Sequence, residues 1–394
     1  MALDFTTASL DARVTVTRAL NTATAVNSSG YIAAVNANLP RFDYNPTAPI
    51  TCKGLLIEES RANLFLQSEA LTSPWVIDGG GSLNATPTAA PDNANTAKKL
   101  QENTANTYFR AYQEVTLTNG AVYTASVFAK PSGRDWLFLY FSGGTATAYV
   151  NIATKTVGTT TGSPTITFTD YANGFVRVTM VFTNTSVGGQ NVQVWLGQSN
   201  GVRTYQGDGS SGMYIWGFQI ELGAFATSYI PTTTTSLTRN ADVVDMTGTN
   251  FSDWYNATEG SIYAEYTPFT VSGATRGVFS INDGSANNYA DWRPNGGDFV
   301  VTSGGAGQAD MYPGGITVNT VGKGVLALKA NSMACAINGG AVSSDNTALM
   351  PVSPNKLNIG RLNNNAALSI CGWMRKISYW PQRLTDAEVR AFSK

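Results

Sequence analysis

The side chains with most to offer a ligand are large aromatics set beside amides and arginines. One group lies in the first half of the chain: Tyr108, Arg110, Tyr112, Trp136, Tyr140, Gln193, Trp195 and Tyr205. Flat rings can stack on the C–H face of a pyranose while polar neighbours bind its hydroxyls, although most Trp and Tyr side chains serve packing. Trp195 has a readable direction. In Val192-Gln193-Val194-Trp195-Leu196 the aliphatic residues alternate, so Val192, Val194 and Leu196 face a core. Gln193 and Trp195 then face the other way, toward solvent or a partner subunit. A second group is the stretch 282–293, rich in Asn and Asp. There Asp283, Asn287 and Asp291 could hold a structural calcium ion, with Tyr289 and Trp292 as further glycan contacts. The spacing and terminal Glu of an EF-hand loop are missing, and a polar β-turn accounts for the same residues. Asp208-Gly209-Ser210-Ser211-Gly212 reads the same way, as a tight turn first and a metal loop second.

Much other chemistry is excluded. The sequence has no histidine, which removes Ser-His-Asp and Cys-His catalysis, imidazole metal sites and the commonest general base. Glu58 and Glu59 are adjacent, so on a strand they point to opposite faces and cannot flank one glycosidic bond. Glu221 and Glu265 belong to different units. The expectation is a protein that is not an enzyme and has no cofactor beyond the calcium considered above. Cys52, Cys335 and Cys371 are odd in number and far apart. They read as three buried thiols, with a Cys335–Cys371 bridge as the alternative. Lys+Arg is 25 against Asp+Glu 26, a net charge of -1, which argues against nucleic acid and polybasic membrane contacts. No apolar run approaches the ~20 residues of a membrane span. Met1-Ala2-Leu3-Asp4-Phe5 has no secretion-signal character, so a soluble chain without membrane insertion is expected.

The elements that must position these residues are strands. Gly numbers 39 and charged residues are only 13%; Thr and Asn abundance favours strands and turns over helices. The fold expected is all-β: two antiparallel jelly-roll or β-sandwich domains preceded by an extended N-terminal segment. Residues 1–66, with short strand-like pieces and too little apolar surface for a core of their own, read as an attachment or intersubunit segment. Residues 67–232 read as the first jelly roll, with Val176, Val178, Met180 and Phe182 on one face of a strand. Leu137-Phe138-Leu139-Tyr140-Phe141 is apolar on both faces, as in a central strand. Residues 233–257 read as a linker that opens within the Thr-rich run Pro231–Ser236. Its Leu237-Thr238-Arg239 echoes Val16-Thr17-Arg18. Residues 258–394 read as the second jelly roll, where Ile262, Ala264 and Tyr266 share a face. It ends in a short helix from Asp386 to about Phe392, started by a Thr385/Glu388 capping box and a Leu384/Val389 staple.

Three stretches together carry a resemblance. They are Pro40-Arg41-Phe42-Asp43-Tyr44-Asn45-Pro46 with the run Gly54–Leu64; Gly207–Gly212 with Ile215-Trp216-Gly217 and the run Glu221–Thr232; and Trp254-Tyr255-Asn256, Glu259-Gly260 and the run Trp380–Val389. In this order they resemble structural proteins of tailed bacteriophages and prophages. That resemblance covers nearly the whole chain. It implies a carbohydrate-binding-module-like jelly roll followed by a concanavalin A/laminin G-like one, in a virion head or tail appendage. Implied with it are exposure on the particle surface, assembly in the host cytoplasm, other virion proteins as partners, and possible contact with host-surface polysaccharide. A homo-oligomer, by analogy a trimer, is expected to cover strand edges. The alternative is a purely structural decoration or tail connector that binds no glycan.

Overall fold

Period-two burial builds the architecture. In the strand Phe175–Thr183 the side chains of Val176, Val178, Met180 and Phe182 enter one core, and in Glu259–Pro268 those of Ile262, Ala264 and Tyr266 enter another. The computed structural model describes residues 1–394 except 21, 85, 143–145, 272–275 and 363–364, and for 365–368 the backbone alone. The protein is all-β, with antiparallel sheets packed as two sandwiches.

The first sandwich packs a seven-stranded sheet on a six-stranded one. The six-stranded sheet runs, edge to edge, Thr156–Thr161, Thr147–Asn151, Trp136–Phe141, Gly189–Gly197, Arg110–Thr116 and Val76–Asp78. Its strand Trp136–Phe141 is central: Leu137, Leu139 and Phe141 fill the core while Phe138 lies on the opposite face. The second sandwich packs an eight-stranded sheet on a seven-stranded one around Trp292, Phe299, Tyr266 and their neighbours. The helix Asp386–Phe392 has the expected capping box, and Leu384 and Val389 dock on Val325, Ala327 and Ala336.

Residues 1–66 do not stand apart as an arm. Ala2–Asp4 and Cys52–Ile57 both pair with Gly372–Trp380, Phe42–Tyr44 pairs with Cys52–Ile57, and Thr15–Thr17 pairs with Val243–Thr247. Leu3, Phe5, Val14, Val16, Leu55 and Ile57 are buried in the second sandwich's core. A segment too small for its own core has completed one formed mostly by residues some 200 positions later. Val243–Thr247, inside the expected linker, is an integral strand of that sandwich. The first sandwich is therefore inserted into the second. Its entry and exit strands, Arg61–Asn63 and Leu237–Arg239, pair side by side.

A buried charge network sits where the two sandwiches meet. Asp242 accepts from Arg18 Nη1 at 2.8 Å, from Arg41 Nε at 3.2 Å and from the Glu58 backbone N–H at 2.9 Å, and it also pairs with Arg41 Nη2. Glu58 pairs with Arg41 Nη1 at 2.7 Å and accepts from Ser228 N and Oγ, both at 2.8 Å. Arg239 Nη1 stands 3.5 Å from Glu58. Burial pushes the Glu58 carboxyl up, but Arg239 and Arg41 outweigh it and hold the group well below the ordinary range. The Arg18/Arg239 echo in the sequence thus marks two cations that enter one network. Much of the motif set behind the resemblance, Arg41, Glu58 and Ser228 included, is the material of this junction.

All three cysteines are free; Cys335 and Cys371 are buried and Cys52 is half-buried. Among the described residues no helix is long and apolar enough to cross a membrane.

Candidate ligand-binding face of the first sandwich

Register decides which aromatics meet. In the six-stranded sheet Arg110 lies opposite Trp195, and Trp195 opposite Phe138, which lies opposite Tyr149. The neighbouring row places Tyr112 opposite Gln193 and Gln193 opposite Tyr140. Val192, Val194 and Leu196 fill the core, so these two rows share the outward face. Tyr108, just before the strand, closes one end: its ring centroid is 4.9 Å from that of Trp195. Phe138 lies 6.1 Å from Trp195 and 4.4 Å from Tyr149, and Tyr140 lies 6.4 Å from Trp195. Phe138 and Tyr149 are buried at the base, while Tyr108, Tyr112, Tyr140 and Trp195 are half-exposed.

The polar groups are fixed among the rings. Arg110 grips Asp78 with Nε at 2.6 Å and Nη2 at 2.9 Å, and its Nη1 donates to Gln193 Oε1 at 3.0 Å. Trp195 Nε1 donates to the same oxygen at 2.8 Å. The Arg110 guanidinium stands 4.8–5.1 Å from the rings of Tyr108, Tyr112 and Trp195. Its bond to Asp78 raises its already high pKa, so the cation is permanent. Arg203, exposed on a loop, lies 4.8 Å from the Phe138 ring centre and 5.2 Å from that of Trp195. The result is a preorganised surface of rings with hydrogen-bonding groups at its margin, chemistry suited to a ligand that is apolar on one face and polar at its rim.

Of the residues singled out in the sequence, Tyr108, Arg110, Tyr112, Tyr140, Gln193 and Trp195 converge here. Trp136 shares the face by strand alternation but stands at its end, where Gly158 leaves room for its ring and Gly197 for its Cβ. Tyr205 does not join them. It is 4% exposed, packs on Phe109 at 5.2 Å and donates to buried Glu102 at 2.8 Å. Trp292 is 0% exposed and stacks on Phe299 in the second core, so it faces no ligand. Tyr289 alternates to the other side of that strand, beneath the Arg293 guanidinium. Four residues of the first sandwich's face were missed: Phe138, Tyr149, Asp78 and Arg203. Phe138 was legible, since it alternates with Trp136 and Tyr140; the others come from separate segments that only the sheet register brings in.

The proposed calcium ligands have other partners. Asp283 accepts from Ser285 N and Oγ and from Asn288 Nδ2, closing its own turn. Asp291 is buried in a strand and pairs with Arg293 at 3.2 Å. Asp208 accepts from the backbone and hydroxyls of Ser210 and Ser211. Among the described residues no group of three His, Cys, Asp or Glu is placed to hold a metal ion. Glu58 and Glu59 serve separate arginines, Glu59 pairing with Arg61 at 2.5 Å and Arg276 at 2.8 Å.

No described protein family and no curated protein sequence matches the chain. Solved structures that resemble it include carbohydrate-binding modules with β-sandwich folds. One is the CBM40 of a Ruminococcus gnavus sialidase bound to α2,3-sialyllactose, at TM-score 0.30 and 11% identity over 35% of this chain and 84% of that one. Also similar is domain 4 of the Geobacillus stearothermophilus GH43 extracellular arabinanase AbnA in complex with arabinotriose, at TM-score 0.33 and 12% identity over 43% and 81%. A further carbohydrate-binding module is the N-terminal CBM22 tandem of Paenibacillus barcinonensis Xyn10C, at TM-score 0.26 and 10% identity over 82% and 97%. Likenesses this slight carry no argument about what the present chain binds.

Proposed function

We propose that the outward face of the six-stranded sheet binds a glycan without cleaving it. The observation that carries this reading is the meeting of Tyr108, Tyr140 and Trp195 with Arg110 and Gln193 across three adjacent strands. Rings supply the stacking surface, and groups already fixed by hydrogen bonds lose little freedom on binding. In the fuller proposal, supported by the ordered sequence motifs, the protein is a bacteriophage head or tail appendage that presents this face to host-surface polysaccharide.

The test is a glycan array on the purified full chain, with Trp195→Ala and Tyr140→Ala beside it and circular dichroism to verify folding. Saturable binding weakened about tenfold or more in either variant, on the order of 1.4 kcal/mol or more, supports the reading. A folded chain that binds no glycan, or binding unmoved in both variants, overturns it. The rival reading, a purely structural subunit, draws on the exposed edge strand Thr156–Thr161, which a second copy could cover. It expects a homo-oligomer, by analogy a trimer, that dissociates when this edge is altered and shows no glycan binding.

A further inference from the structure

The charges on this face are unequal. Arg110 is neutralised by Asp78 in a two-point contact. Arg203 has no acidic partner among the described residues: its recorded contacts are the Phe138 and Trp195 rings. The loop that carries it is a tight turn, with Gln198 N donating to Val202 O at 2.9 Å and Val202 N to Ser199 O at 3.2 Å. Glu114 lies four strand positions beyond Arg110, roughly 13 Å along the strand and past Tyr112. The Trp195 end of the face therefore carries one exposed cation that makes no ion pair among the described residues, Asp135 beside Trp136 included, next to the stacking rings.

Resting on the glycan reading above, we infer that the ligand is an acidic glycan whose carboxylate is received by Arg203. A guanidinium offers a planar fork of N–H donors that matches a carboxylate at two points. Stacking on rings limits the conformations it must give up on binding. A uronic or sialic acid combines the two features this end of the face provides for: a ring to stack and a carboxylate within reach of the same side chains. A neutral sugar would leave the cation unanswered.

The experiment compares each acidic polymer with its carboxyl-reduced form, in which the same linkage carries CH2OH. Oligomers of polygalacturonate, polyglucuronate, alginate and polysialic acid are titrated into the full chain by calorimetry. The expected result is at least one acid form bound about tenfold or more tighter than its reduced partner, with the preference fading as salt rises. Arg203→Ala should bring the pair within about twofold, Arg203→Lys should restore part of the gap, and Trp195→Ala should weaken both forms. Lys155→Ala, which removes a cation from the strand connection elsewhere on the sandwich, should leave the preference intact. Equal binding of acidic and reduced forms, a preference that survives Arg203→Ala, or binding of neutral glycans alone overturns the acidic assignment and leaves the glycan reading standing. No binding of any glycan, acidic or neutral, overturns both.

Discussion

The junction network makes an asymmetric prediction. It holds three arginines against two carboxylates, all at most 2% exposed at their side chains. Replacing Asp242 with Asn keeps the shape but leaves three buried cations facing Glu58 alone. It also puts amide hydrogens at one of the two oxygens, facing either Arg18 and Arg41 Nε or Arg41 Nη2 and the Glu58 backbone N–H. Breaking a buried ion pair from one side costs about 3–5 kcal/mol. Replacing Arg239 with Met moves the charge balance the other way. Arg239 Nε and Nη1 make no hydrogen bond, its Nη1 stands 3.5 and 4.0 Å from the two acids, and its one short bond is Nη2 to Glu59 O at 2.8 Å. Losing that bond costs about 1 kcal/mol, and relieving two unsatisfied donors returns a similar amount. Glu58 also loses one of the two cations that hold it ionised, but Arg41 stays paired with it and the network is left with two cations against two carboxylates. With a urea slope of about 3 kcal/mol/M, Asp242→Asn should lower the unfolding midpoint by about 1–1.7 M. Arg239→Met should move it by less than about 0.5 M. Equilibrium urea unfolding of the full chain, followed by tryptophan fluorescence, measures both. A larger loss from Arg239→Met than from Asp242→Asn would refute the charge argument.

Two further outcomes follow from burial and pairing. Burial lifts the Asp291 carboxyl to about 6 against the pull of Ser280 and Arg293. Because the folded value exceeds the unfolded one, its stabilising contribution is complete below about pH 4 and is lost as pH rises through about 6. Asp291→Asn should therefore gain on the wild type between pH 4.5 and 7.5, by on the order of 2 kcal/mol; equal differences in melting temperature at the two pH values would count against this. Deleting residues 1–66 should prevent the second sandwich from folding, since it removes four strands and the Arg18, Arg41 and Glu58 charges. Native-like near-ultraviolet dichroism of Trp292 in the deleted protein would contradict the interlocked architecture.

The sequence displayed local periodicity well and long-range partnership poorly. Alternation in 192–196 and 176–182 named the core faces, and the Thr385/Glu388 spacing named the helix start, because both signals are carried within a few residues. The candidate face was half legible for the same reason: Gln193 and Trp195 had to point outward, and Arg110, Tyr112 and Tyr140 are met by register. Tyr205 and Trp292 were misplaced because an aromatic beside polar neighbours looks the same whether it is exposed or packed against its own sheet. The first 66 residues were misread because composition shows only that a segment lacks a core; the partner strands that supply one lie beyond residue 240. The buried arginines showed only as the short Arg18/Arg239 echo and as part of a motif, with no local sign of burial, since each becomes a structural residue only when five distant segments meet.

The insertion of one sandwich into the other also sets a mechanical path. A ligand pulling on the aromatic face loads the first sandwich, and the chain leaves that sandwich through Arg61–Asn63 and Leu237–Arg239, which are paired antiparallel. Both strands meet the pull at their sandwich-one ends, so tension is shared between two tethers rather than sliding one past the other. Their far ends lead into Glu58 and Asp242, tied to each other by the Asp242 N–H donating to Glu58 O and the Glu58 N–H donating to the Asp242 carboxylate, and to Arg41 by charge. The ion network is thus the anchor bolt of a two-point suspension, and drag on a bound surface, having crossed the first sandwich, would be borne there before it reached the second hydrophobic core.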